Sequence, residues 1–167
     1  MDEVYESIKR LSEKLVEVCT ARGLKVSTAE SCTGGMISAA ITSVSGSSSV
    51  IELGVCSYSN RIKQDVLGVS EQTLEKFSEY STQCVREMLL GVLKLSGADF
   101  AVATSGVAGP AGGTEENPVG TVYIGVCGKG NMKIEKHVFN DRGRNHIRAA
   151  ATEKALNMLL DIINICI

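Results

Sequence analysis

The residues best suited to chemistry lie in one run, Thr28-Ala29-Glu30-Ser31-Cys32-Thr33-Gly34-Gly35. Leu24 and Val26 precede it at strand spacing, and Met36, Ile37, Ala40, Ile41 and Val44 follow at helical spacing. A hydroxyl-rich turn ending in glycine, between a strand and a helix, sets small nucleophiles beside the free N–H groups of a helix start. Those groups carry positive partial charge and suit an anion or a developing oxyanion. Ser31 is the nucleophile candidate, Cys32 stands next to it, and Thr33 is placed to cap the helix. A purely structural cap is the alternative, since serine and threonine lead at that position. Gly34 and Gly35 favour a site, because mid-helix glycine costs about 1 kcal/mol against alanine. Some close backbone approach must require them.

A serine nucleophile needs a base. The chain has two histidines, His137 and His146, both outside the strand-end loops that hold the other candidates, so a Ser-His-Asp arrangement is disfavoured. The segment Tyr58-Ser59-Asn60-Arg61-Ile62-Lys63, at a strand end and the start of the next element, offers a lysine instead. An unperturbed lysine is neutral in roughly 1 molecule in 2,500 at pH 7. Burial or a neighbouring cation must therefore lower its pKa by about 3, worth about 4 kcal/mol. Tyr58 could relay a proton or orient the amine. A sheet tyrosine and a solvated helix lysine are the ordinary alternative.

Two further groups suit a ligand. The loop Gly106-Val107-Ala108-Gly109-Pro110-Ala111-Gly112-Gly113-Thr114 leaves an apolar strand through Thr104-Ser105, the default ligand position of an open α/β sheet. It matches neither the phosphate-loop nor the dinucleotide fingerprint. Arg142, Arg144 and Arg148 surround the start of the last helix, with Arg144 and Arg148 on one face. Forked arginine donors suit phosphate or carboxylate, and a solvated basic face is the alternative.

Hydrophobic spacing supplies the elements that position these groups. Helices are expected over 4–19, about 35–44, 70–77 with Ser70 as cap, 82–96 and about 144–163. Strands are expected over 24–29, 50–58 and 100–104, the last continuously apolar. Residues 119–127 and 132–139 read as a hairpin around Gly128-Lys129-Gly130-Asn131, its second strand alternating like an exposed edge. The sum is an α/β protein, a three-layer α/β/α sandwich with a mixed sheet, in one domain over 1–167.

A length of 167 residues suits one domain. The net charge of −2, with no basic block, argues against a nucleic-acid footprint. No apolar run reaches membrane-span length and the polar start is no signal peptide. Six scattered cysteines without a C-x-x-C pair read as free thiols of a reducing cytoplasm rather than disulfides or a zinc site.

Taken together, several motifs closely resemble the CinA C-terminal domain family: 28–35, Tyr58-Ser59-Asn60 with Lys63, Ser105 to Pro110 with Gly112-Gly113-Thr114, Pro118-Val119-Gly120-Thr121-Val122, and Arg144-x-x-Ile147-Arg148. The resemblance covers essentially the whole chain and matches the stand-alone form of the family. It implies a nicotinamide-nucleotide amidase that hydrolyses the carboxamide of nicotinamide mononucleotide to nicotinate mononucleotide and ammonia, in pyridine-nucleotide salvage. It implies Ser31 as nucleophile, Lys63 as base and Tyr58 assisting. Thr33, Gly34, Gly35 and Ser105 would lie around the reacting carbonyl. Asn60, Gly106, Ala108, Gly109, Gly112, Gly113, Thr114, Arg144 and Arg148 would hold the nucleotide. No metal or cofactor is required, and a cytoplasmic homodimer is expected. The sequence departs from the family pattern at Asn117, where a lysine commonly precedes Pro-Val-Gly, and at Arg142-Gly143, where a glycine-aspartate pair is usual. Cys32 as nucleophile and a non-catalytic nucleotide-binding, competence-related module are the rival readings.

Overall fold

The computed structural model describes residues 2–140 and 142–166. In chain order the elements are α1 (Asp2–Arg22), β1 (Val26–Glu30), α2 (Met36–Thr42), a 3₁₀ turn (Ser47–Ser49), β2 (Ile51–Cys56), α3 (Asn60–Leu67), α4 (Glu71–Phe77) and α5 (Thr82–Ser96). The remainder are β3 (Phe100–Gly106), β4 (Thr121–Gly128), β5 (Asn131–Val138) and α6 (Arg144–Ile165). The strands form one sheet in the order β2-β1-β3-β4-β5. β1 runs parallel to both β2 and β3, whereas β4 and β5 are antiparallel to their neighbours. The mixed sheet and the α/β class follow the hydrophobic patterning.

Helices cover both faces. On one, α6 packs on β3 and β4 and is itself covered by α1 and α2, burying Leu15, Ile37, Ile41, Ile147, Leu156 and Leu159. On the other, α5 lays Val85, Met88, Leu89 and Val92 against the sheet, with α3 and α4 beside it. Ser70 and Ser81 cap α4 and α5 by accepting from the N–H groups of Thr73 and Cys84.

The boundaries differ from expectation where backbone hydrogen bonds decide. The strand expected over 50–58 ends at Cys56, where its partner β1 also ends, at Glu30. The helix expected over 35–44 is the shorter α2. β5 is an edge strand carrying Lys133, Glu135, Lys136 and His137, whose charges discourage pairing with another chain.

This topology has one consequence for function. After β1 the chain passes through α2 to β2 on one side, and α3 to α5 then carry it back to β3 on the other. The reversal opens a crevice at the carboxyl ends of β1 and β3, where open α/β sheets place their ligands.

Candidate active site

Ser31 is the first residue beyond β1, and its N–H donates to the Thr104 carbonyl of β3 at 3.0 Å. Its Oγ lies 3.1 Å from Lys63 Nζ, which also donates to the Ser57 carbonyl at 3.0 Å. Lys63 stands in the first turns of α3, set by the Ser59 cap on the Ile62 N–H, and only 1 % of it is exposed. Among the described residues no carboxylate forms an ion pair with it. Burial pulls its pKa down from the ordinary lysine range, against the smaller opposing pull of negative charge such as that of Glu79. A neutral amine that donates one N–H to Ser57 can turn its lone pair to the Ser31 hydroxyl. The arrangement can therefore take a proton from Ser31 without a histidine.

Cys32 is buried on the same turn, and burial pushes its thiol up to about 12. The thiolate is the reactive form, so at neutral pH Cys32 stays protonated and inert beside Ser31.

The start of α2 is not open to a ligand, contrary to the sequence reading. The fully buried carboxylate of Glu30 occupies it. One oxygen accepts from the N–H groups of Gly35 and Ile37 at 3.0 Å and from the Thr33 hydroxyl at 2.7 Å. The other accepts from the Ser38 N–H and hydroxyl at 2.8 Å and from the Thr28 hydroxyl at 3.3 Å. The protein's own anion thus satisfies the helix end. Thr33 is no cap; Gly35 holds the cap position without a side-chain bond, and the Thr33 hydroxyl bridges Glu30 and Thr104.

Gly34 and Gly35 have φ of 59° and 93°, which other residues adopt at a cost. A Cβ on Gly34 would sit 3.0 Å from Arg148 Nη2. The close approach that Gly34 permits is that of Arg148, whose Nε and Nη2 donate to the Cys32 and Thr33 carbonyls at 3.1 Å each. Arg148 clamps the nucleophile turn from behind and does not line the cleft.

The cleft in front of Ser31 is small and open, with a volume of about 130 Å³. Of the residues singled out in the sequence, Ser31, Tyr58, Asn60, Lys63, Gly106, Ala108, Gly109 and Arg144 line it. Tyr58 is 59 % exposed, and its hydroxyl accepts from Arg144 at 2.7 Å. No bond joins that hydroxyl to Ser31 or Lys63 among the described residues, so the geometry offers Tyr58 as a wall of the cleft and not as a proton relay. Arg144 also donates to the Gly109 carbonyl at 2.7 Å, tying the glycine loop to α6.

Thr33, Gly34, Gly35, Ser105, Gly112, Gly113, Thr114 and Arg148 lie outside the lining. The Ser105 hydroxyl is spent on the Glu79 carbonyl at 2.7 Å. Asn117 is buried and also outside the lining; it accepts from the Tyr123 hydroxyl and donates to the Tyr80 carbonyl. Glu79 and Tyr80 line the cleft and were not singled out. Nothing local marks Glu79 or Tyr80, which arrive on the α4–α5 connection. Among the described residues no group of three or more His, Cys, Asp or Glu could hold a metal ion, and no helix is long and apolar enough to cross a membrane.

A family model described as the CinA C-terminal domain matches residues 8–163. The nicotinamide-nucleotide amidohydrolase PncC of Enterobacter agglomerans is 50% identical over 149 residues, 86% of this chain and 91% of that protein. A CinA-like protein of Shewanella pealeana is 44% identical over 90% of this chain, which spans only 36% of that relative's length. Among solved structures, the competence/damage inducible protein CihA of Agrobacterium tumefaciens superposes with a TM-score of 0.91 at 43% identity, covering 93% of this chain and 94% of that one.

Proposed function

This chain belongs to the CinA C-terminal domain family, and from that premise we propose that it is an amidohydrolase converting nicotinamide mononucleotide to nicotinate mononucleotide and ammonia. The similarity to a nicotinamide-nucleotide amidohydrolase over most of both chains supports the substrate. The observation that carries the mechanism is a buried lysine amine 3.1 Å from a serine hydroxyl at the carboxyl edge of the sheet. A module that only bound a nucleotide would have no use for an amine whose burial opposes its own protonation.

Neutral Lys63 accepts the Ser31 proton as Oγ attacks the carboxamide carbon. Protonated Lys63 returns that proton to the amide nitrogen as the C–N bond breaks, and ammonia leaves. Water then attacks the acyl ester, giving a proton to Lys63; the ester bond breaks, Ser31 regains its proton and the nicotinate carboxylate departs. Since Glu30 occupies the N-terminus of α2, the oxyanion needs other donors. The N–H groups of Ala108 and Gly109 belong to residues lining the cleft, and among the described residues neither has an acceptor. They are the proposed oxyanion donors. Arg144 and Asn60, which line the cleft, are the proposed contacts to the phosphate and ribose.

Ser31→Ala tests the assignment. Ammonia release from the mononucleotide is expected to fall by at least about a thousandfold, with ligand-induced thermal stabilisation retained. Near-wild-type turnover by that variant removes Ser31 as nucleophile. The same reading takes the working form to be a cytoplasmic homodimer, consistent with six free thiols and checked by light scattering.

A further inference from the structure

The connection between α4 and α5 brings into the cleft two groups that the hydrolysis steps leave unused, Glu79 and Tyr80. Ser78, which opens this connection, has φ 65° and ψ 172°, a region occupied almost only by glycine. A serine persists there when its surroundings over-determine the backbone, and the surroundings do. The Tyr80 N–H donates to Ser78 Oγ at 3.2 Å, and Ser81 Oγ donates to the Ser78 carbonyl at 2.8 Å. Ser105 Oγ holds the Glu79 carbonyl at 2.7 Å and Asn117 Nδ2 reaches the Tyr80 carbonyl at 3.5 Å. Glu79 and Tyr80 are therefore presented on a fixed, strained segment.

The Glu79 charge reaches the reaction centre. Glu79 lines the same cleft as Lys63 and Tyr80, and its negative charge favours the protonated forms of the Lys63 amine and the Tyr80 phenol. Among the described residues no lysine, arginine or histidine lies within ion-pair distance of Glu79. The same cleft carries the Arg144 guanidinium, which bonds Tyr58 and Gly109 and does not neutralise Glu79. A half-buried carboxylate beside an aromatic ring, in one cleft with a separate arginine, complements a ligand holding a cationic aromatic ring and a distant anion. A pyridinium mononucleotide has that charge pattern, with the ring positive and the phosphate negative.

We infer that Glu79, with the Tyr80 ring, is a specificity determinant that selects the cationic pyridinium form of the substrate over neutral-ring analogues. The inference rests on the amidase reading above. The carboxylate attracts the ring cation by charge and the tyrosine face by its quadrupole, and both attractions vanish for a neutral ring. The hydrogen-bond donors and acceptors of the carboxamide are the same groups in both forms, so they do not distinguish a charged from a neutral ring.

The test compares nicotinamide mononucleotide with its 1,4-dihydro form, which keeps the phosphate and carboxamide but has a neutral ring. The first is assayed for ammonia release to give KM and kcat, the second for competitive inhibition, on the full-length wild type, Glu79→Gln and Glu79→Asp. The wild type is expected to favour the cationic form by about tenfold or more. Glu79→Gln should raise KM for that form about tenfold, change kcat by less than threefold and leave the inhibition constant of the dihydro form within twofold. Glu79→Asp, which keeps the charge, should recover most of the preference. If Glu79→Gln discriminates between the two forms as the wild type does, or weakens both equally, the inference is overturned while the amidase reading stands. If the wild type releases no ammonia, the amidase reading falls, and the ratio of the two binding constants from thermal stabilisation still decides the role of Glu79.

Discussion

Replacing Glu30 by glutamine tests whether an internal carboxylate, rather than substrate, completes the start of α2. Glutamine matches glutamate in shape but turns one acceptor oxygen into a donor NH₂. Placed toward Gly35, Ile37 and Thr33, the NH₂ would confront two backbone N–H groups that cannot reverse. Placed toward Ser38 and Thr28, it meets two hydroxyls that can rotate to accept, leaving only the Ser38 N–H without a partner. The second orientation is the cheaper. Its cost is one orphaned buried donor, about 1–3 kcal/mol, plus the loss of a negative charge at a helix N-terminus, about 0.3–2 kcal/mol. The sum is about 1–5 kcal/mol, which lowers Tm by about 3–20 °C for a chain of this size. Urea and thermal unfolding measure it, with ammonia release followed in parallel. Because the turn holding Ser31 is built on this carboxylate, kcat should fall together with stability. A stability change below about 0.5 kcal/mol would refute the reasoning, since it would mean that the six hydrogen bonds are replaceable by water.

The two arginines should separate kinetically. Arg148→Ala removes two donors from the Cys32 and Thr33 carbonyls and is expected to lower kcat by about 10–100-fold with little change in KM, as misplacement of a reacting group does; Arg144→Ala, at the cleft wall, should instead raise KM by about 10-fold or more. Equal effects on both constants in both variants would contradict the assignment. Lys63→Met should lower activity by at least about a thousandfold while raising stability at neutral pH by about 1–4 kcal/mol, since an apolar side chain of similar length replaces a buried amine. For the wild type, kcat/KM should fall as pH drops through the lowered pKa of Lys63, because protonation removes the base. Stability carries the matching sign. The native amine has a pKa below the unfolded value of 10.5, so between the two the unfolded chain binds more protons and stability rises with pH. That rise should be missing from the Lys63→Met curve when the two proteins are titrated side by side.

Much of this protein was readable from its residues because the relevant signals are local. The period of the apolar residues distinguishes helices from strands, and the serine caps at 70 and 81 follow from their own hydroxyls. The order of short motifs at strand ends was enough to place the chain in a family, and the lysine at the start of α3 stood out once the histidines were set aside. Boundaries were less accessible, as at Cys56, where β2 stops because its partner β1 stops at Glu30.

What only the folded chain decided was direction and occupancy. Sequence spacing could not say that Glu30 turns back to fill the start of α2, because a carboxylate in a strand has no local reason to point at a helix five residues away. Nor could it say that Arg148 faces the back of the nucleophile turn while Arg144, on the same helical face, opens onto the cleft. Glu79 and Tyr80 reach the site through a connection fixed by Ser105 and Asn117, both distant in sequence. The chemical types were written along the chain. Which of them meet, and which are already satisfied by the protein itself, depends on contacts between elements far apart in sequence, and those exist only once the sheet has brought its strands into register.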